Sequence, residues 1–281
     1  MQFENLINSI NEIDKVNNEE WLSTLNDRKL AELEFHNLDR DQKRISETKS
    51  SDTYEKFYGN KKYYSVIERS STFVQDWIRD NVNENKVFLD YACGNGANAL
   101  NAAKYGVGLS LGFDISDVSV KNARNSAEHA SLSNCIFFQA DAEDTRLPNN
   151  SIDTILCSGM LHHLNLSYAF PEIRRILKPG GKLLAVEALD YNPLIKLYRY
   201  LTPDMRTEWE KAHILSLKDI KFAERFFDIG NTNYWHVTGY AAGKFPVLSK
   251  PLEALDAVLE KIPFIQLMSW IFTFELIKRD D

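Results

Sequence analysis

Apolar positions follow two different rhythms along the chain. In the first 50 residues, Leu22, Leu25, Leu30, Leu33 and Leu38 recur at roughly helical spacing with charges between them, which predicts amphipathic helices. Residues 51–70 are aromatic and polar and read as loop or short helices leading into a helix near Thr72–Asn81. From Lys86 the pattern changes to short apolar runs: VFLDYA, LSLGFDIS, CIFFQADA, TILCSGML and KLLAVEAL. Helical stretches separate several of them, the last, SYAFPEIRRILKPGG, closed by Pro179, Gly180 and Gly181. Strands alternating with helices predict βαβ units and a mostly parallel sheet covered on both faces. After Glu187 the alternation breaks. Residues 188–222 read as helices lying over the open end of the sheet, and NYWHVTGYAA and SWIFTFELIK, with a helix around Pro251–Lys261 between them, read as two closing strands.

This pattern divides the chain into a helical N-terminal cap or lid over 1–70 and a second domain over 71–281. Within the second, the core spans about 71–187, a covering insert about 188–230, and the last strands 231–281. Composition narrows the reading further. The 281 residues carry 33 basic and 40 acidic side chains, a formal charge of −7, so no nucleic acid is expected as partner. Cys93, Cys135 and Cys157 are widely spaced with no CxxC, which predicts neither disulfide framework nor structural zinc and points to a cytoplasmic setting. The segment MQFENLINSINEID has no basic or apolar region of a signal peptide. The most apolar stretch, Ile262 to Ile277, holds Pro263, Gln266 and Glu275 and is too short to span a membrane.

The sharpest chemical signal is VFLDYACGNGANAL. A buried run ends in Asp90, Gly94 and Gly96 follow in a tight turn, and a helix begins. Glycines let backbone approach a ligand closely, and a helix N-terminus offers free N–H donors. The second run ends in Asp114, 24 residues after Asp90, where a carboxylate can accept hydrogen bonds from ribose hydroxyls. The third ends in Asp141 and Ala142, beside an adenine so held. Ala99 stands at the third glycine position of G-x-G-x-x-G, and Asp90 would repel a pyrophosphate. A cationic adenosine ligand suits these acids better than a nicotinamide dinucleotide does.

LDYACGNG (89–96), GFDIS (112–116), QADAEDTRLPNNSID (139–153), CSGMLHHL (157–164) and EIRRILKPGGKLLAVE (172–187) together resemble class I S-adenosylmethionine-dependent methyltransferases, in particular the small-molecule group that includes the ubiquinone and menaquinone methylases. The likeness is firm over about 65–190. Ala92 departs from the glycine common there. The resemblance implies an α/β fold, a doubly wound Rossmann-like sheet of seven mostly parallel strands, with the N-terminal cap and an inserted cap after the fifth strand. It implies that Asp90 helps hold the methionine amino group, and that Ala92, Gly94 and Gly96 bring backbone against methionine and ribose. Asp114 would bind ribose, Ile115 would pack on adenine, Asp141 with Ala142 would meet the adenine amino group, and Ser158 would line the methionine end.

Methyl transfer is an in-line displacement that needs proximity, alignment and a desolvated acceptor, with a base only where the acceptor loses a proton. The expected acceptor is a small molecule methylated on oxygen, nitrogen or carbon, and the expected assembly is a monomer or homodimer. Candidate bases are His162, His163, His213, His236 and Glu187. Tyr63 and Tyr64 are placed to close over the cofactor, since aromatic faces favour a sulfonium. No metal-site spacing is evident. The alternatives are a nicotinamide-dependent oxidoreductase on a similar fold and a non-catalytic cofactor-binding scaffold.

Overall fold

The computed structural model describes residues 3–15, 18–48, 54, 58–66 and 68–280. Seven strands form one sheet: β1 Val87–Tyr91, β2 Leu109–Asp114, β3 Cys135–Gln139, β4 Ile152–Ser158, β5 Leu177–Ala188, β6 Asp228–Trp235 and β7 Ile271–Ile277. Their order is β3-β2-β1-β4-β5-β7-β6. The first five run parallel, and β7 pairs antiparallel with both β5 and β6. Helices Ala97–Lys104, Asp117–His129 and Leu166–Ile176 supply crossovers, as parallel pairing requires. The strand order reverses between β1 and β4, and ligands of such sheets bind outside the carboxyl ends at that point.

Both faces of the sheet are covered, which is why its strands read as continuous apolar runs rather than alternating ones. On one face Leu89, Leu111, Phe113, Ile155 and Leu183 pack in a core that also takes Leu6, Ile10 and Ile13 from helix Glu4–Asp14. On the other, Phe88, Leu156 and Leu184 meet Val74, Trp77 and Ile78 of helix Glu68–Asn81. Helix Asp27–Arg40 is different: Glu32 is its buried residue, and it docks by polar contacts across the carboxyl ends of the strands. Its N-terminus is capped by the Asn26 side chain, which accepts from the Lys29 N–H at 3.1 Å. Residues 49–53, 55–57 and 67, part of the linker read from the sequence, lie outside the described residues.

Two boundaries differ from the sequence pattern. The helix before β5 ends at Ile176 rather than at the glycines, because Lys178 precedes Pro179 and is pushed towards extended backbone. The sixth strand starts earlier and stops at Trp235, before HVTGYAA. Helix Ser249–Leu259 and the residue just beyond it capture the backbone there. Glu260 accepts from the His236 N–H at 2.7 Å, and Asp256 accepts from the N–H groups of Thr238 and Gly239 at 2.8 Å each. Those donors are no longer free for a strand ladder. The apolar C-terminal stretch resolves into a short 3₁₀ turn, Ile265–Met268, and β7. No helix among the described residues is long and apolar enough to cross a membrane.

His236 is 1% exposed, with Nε2 2.8 Å from Ser70 Oγ. Burial, helped by Arg69, lowers its pKa from 6.5 to about 4. A depressed histidine contributes stability that is present above the unfolded pKa and lost as pH falls through the folded one. Between pH 6.5 and 4 it should therefore withdraw about 3 kcal/mol. Chemical denaturation across that window should show this loss in the wild type and a flatter profile in His236→Gln; equal slopes would refute the assignment.

Candidate functional site

The site grows from the turn after β1. Ala92, Gly94 and Gly96 take positive φ values of 56°, 51° and 77°, which turns the chain sharply from strand into helix Ala97–Lys104. At Gly96 the left-handed backbone and the ring of Phe137 both exclude a side chain: an added Cβ would lie 2.6 Å from the ring. Asp114, at the end of β2, holds the turn, its carboxylate accepting from Gly94 N–H at 2.8 Å and Ser116 N–H at 2.9 Å. Asp90 is 2% exposed and accepts from Ala99 N–H at 3.1 Å. Its partners are neutral donors, Ala99 and Asn98, so burial raises its pKa to about 7, with nearby Asp114 adding to the rise. A buried acid without a cation fits a ligand that brings one. Asp141 accepts from Glu143 N–H at 2.9 Å and pairs with Lys29 Nζ at 2.5 Å.

Ala92, Ile115, Asp141 and Ala142 line a narrow cleft of about 30 Å³, with Lys29, Glu32, His36 and His163 on its other side. Helix Asp27–Arg40 supplies three of those four. An adenosine entering here must take Asp141 from Lys29 and shift this helix. Ser158 is exposed at the end of β4 and lines neither this cleft nor the larger cavity described next.

The second cavity, about 260 Å³, opens beside the end of β5. His162 sits in its wall. Glu187, at the carboxyl end of β5, accepts from Met160 and Leu161 N–H groups at 2.9 and 2.7 Å with one oxygen, and meets His162 Nδ1 at 2.6 Å with the other. An Nδ1–H held by Glu187 leaves His162 Nε2 as an acceptor. His163, next in the same short 3₁₀ turn, faces the narrow cleft instead, with Nδ1 2.9 Å from Glu32 Oε2. The two imidazoles lie 4.3 Å apart, one on each cavity.

Three sequence candidates take other places. Tyr63 and Tyr64, read as cofactor residues, line the larger cavity, where Tyr64 packs on Trp270 at 4.9 Å and Tyr63 on Tyr198 at 5.6 Å. Helix Lys61–Tyr64 is seated against the turn Gly239–Gly243. His213 is exposed and stacked on Trp209 at 3.8 Å, and lines neither cavity. His236 is held by Ser70 and Glu260 and lines neither. Conversely, nothing in the sequence pattern singles out Glu32. One ligand atom each of Glu32, His36 and His163 lies within 4.8 Å of the others, as do ligand atoms of His162, His163 and Glu210, spacings that could hold a metal ion. Burial pushes His36 well below the usual imidazole range, with His163 and Arg40 adding to this. Local spacing could not have revealed that group, because it joins residues 131 apart.

Residues 89–185, from the end of β1 through most of β5, match the family described as a methyltransferase domain. The chain carries a class I methyltransferase domain. Its sheet order and the five ordered motifs are those of the S-adenosylmethionine-dependent enzymes of that class. Among curated relatives, the domain is 30% identical over 140 residues to the ribosomal protein L11 methyltransferase of Dechloromonas aromatica, covering 48% of this chain and 45% of that one. It is 27% identical over 128 residues to a sterol 24-C-methyltransferase of Aspergillus fumigatus, covering 45% and 33%. The chain thus spans less than half the length of these relatives. Among solved structures, geranyl diphosphate C-methyltransferase of Streptomyces coelicolor superposes with a TM-score of 0.57 at 14% identity, over 90% of this chain and 98% of that one. At that identity the likeness shows the fold alone.

Proposed function

We propose that this chain transfers a methyl group from S-adenosylmethionine to an oxygen, nitrogen or carbon of a small-molecule acceptor. The reading is carried by one juxtaposition: the turn with Asp90 and Asp114, and the His162–Glu187 pair, flank the same point of strand-order reversal. The cofactor supplies an electrophilic methyl group on a sulfonium. Asp90 holds its ammonium, Asp114 its ribose and Asp141 its adenine amino group, with Ile115 and Ala142 against the base and Ala92, Gly94, Gly96 and Ser158 towards the methionine end. The acceptor occupies the 260 Å³ cavity, whose size suits a compact molecule rather than a polypeptide. His162 Nε2 takes the proton that the acceptor loses as the new bond forms. Glu187 holds the imidazole by Nδ1 and offsets the charge it gains.

Calorimetry with S-adenosylhomocysteine tests this directly, and the pH dependence makes the test specific. Asp90 is protonated below about pH 7 and must ionise to pair with an ammonium. Affinity should therefore rise about tenfold per pH unit from 5 towards 7 and level off above. Asp90→Asn should bind weakly with a flat profile. Absence of binding at pH 8 would sink the reading.

A further inference from the structure

The larger cavity has a charged end that the methyl-transfer chemistry does not use. Its walls are aromatic: Tyr63, Tyr64, Tyr198, Tyr240, Phe245 and Trp270. Among them stand two guanidinium groups, Arg199 on helix Pro193–Leu201 and Arg206 beyond it. They are not equivalent. Arg206 donates to Thr202 O and Oγ1 at 2.9 and 3.1 Å, and its Nε lies 3.3 Å from Glu210. Arg199 is only 12% exposed, yet neither terminal nitrogen has a hydrogen-bond partner among the described residues. The carboxylate beside it, Asp190, stands 3.5 Å from Nη1 and is shared with Lys196 Nζ at 3.0 Å. A buried guanidinium with unspent N–H groups is costly unless something else supplies acceptors.

We propose that Arg199 binds a carboxylate of the methyl acceptor, and that the acceptor is an aromatic or otherwise apolar molecule bearing one such group. This rests on the methyltransferase reading above and names its substrate class. The planar fork of an arginine matches a carboxylate with two parallel N–H bonds. Arg199, Arg206 and Lys244 line the cavity against Glu210, which favours an anion, and the fork of Arg199 selects a carboxylate among anions. The aromatic walls take the apolar body, since guanidinium and aromatic rings together favour flat or hydrocarbon ligands over sugars. Anchoring by Arg199 fixes the orientation in the cavity, so that the nucleophilic atom is presented to His162 in the same wall.

The test uses the full chain saturated with S-adenosylhomocysteine. The probes are 4-hydroxybenzoate, indole-3-acetate and dodecanoate, each beside its methyl ester, with phenyl phosphate as the dianion. Binding is read by calorimetry. At least one carboxylate should bind about tenfold or more tighter than its ester and tighter than phenyl phosphate. Arg199→Met should reduce that preference to within about threefold, and Arg199→Lys, which keeps charge without the fork, should retain part of it. Unchanged S-adenosylhomocysteine affinity in both variants shows that they are folded. No preference for carboxylate over ester in any pair, a preference that survives Arg199→Met, or phenyl phosphate binding best overturns the proposal. Failure of S-adenosylhomocysteine to bind wild-type protein overturns the methyltransferase reading instead, and separates the two outcomes.

Discussion

His162→Ala should slow methyl transfer by about 10²–10⁴-fold, the range expected when a positioned base is removed. S-adenosylhomocysteine affinity should change little, because the imidazole lines the larger cavity and not the narrow cleft. The loss should fall on kcat more than on KM, since proton acceptance matters only as the bond forms. Glu187 acts through His162 and is a positioning residue. Glu187→Gln keeps an acceptor for the Met160 and Leu161 N–H groups, so the turn should survive. Its amide NH2 then faces His162 Nδ1, forces the Nε2–H tautomer and cannot offset the imidazolium charge, so the variant's rate should fall about as far as that of His162→Ala. Added imidazole should restore part of the activity of His162→Ala and none of that of Glu187→Gln. A His162→Ala enzyme within threefold of wild-type turnover would show that the acceptor needs no base or finds another.

The core was legible because its determinants are local. Strands buried on both faces must be apolar runs, and the turn after β1 needs left-handed residues, so Gly94, Gly96 and the acids that close β1 and β2 stand out in a bare sequence. The parts misplaced are those set by docking. Tyr63 and Tyr64 lie near the cofactor core in sequence, but helix Lys61–Tyr64 is seated on the turn after β6, and this carries them to the larger cavity. The sixth strand was shifted because Asp256 and Glu260 take up the N–H groups of the following residues, a contact between segments about 20 residues apart that no period-2 pattern encodes. Glu32 is hidden for the same reason. On helix Asp27–Arg40 it reads as a polar residue of an amphipathic cap, and it becomes a site residue only when the helix lies across the strand ends.

Gly96 joins that legible core to the site, and Gly96→Ala should be strongly destabilising. Two penalties add there. An alanine held at φ +77° carries a left-handed cost of about 1–2 kcal/mol. Its Cβ would lie 2.6 Å from Phe137 Cε1 and Cζ and 2.9 Å from Ala123 Cβ, and such overpacking costs about 1–3 kcal/mol. Unfolding free energy should therefore fall by about 2–5 kcal/mol, read by urea titration, and S-adenosylhomocysteine binding should weaken because the turn that carries Gly94 is displaced. Gly112, in the middle of β2, separates the two causes. Its added Cβ would strike the same Phe137 ring at 2.6 Å, but no positive φ is involved. In a double-mutant cycle, removing the ring with Phe137→Ala should cancel most of the Gly112→Ala loss and only the packing share of the Gly96→Ala loss. If both losses were rescued equally, the backbone conformation at Gly96 would contribute nothing, and the strain argument for this turn would fail.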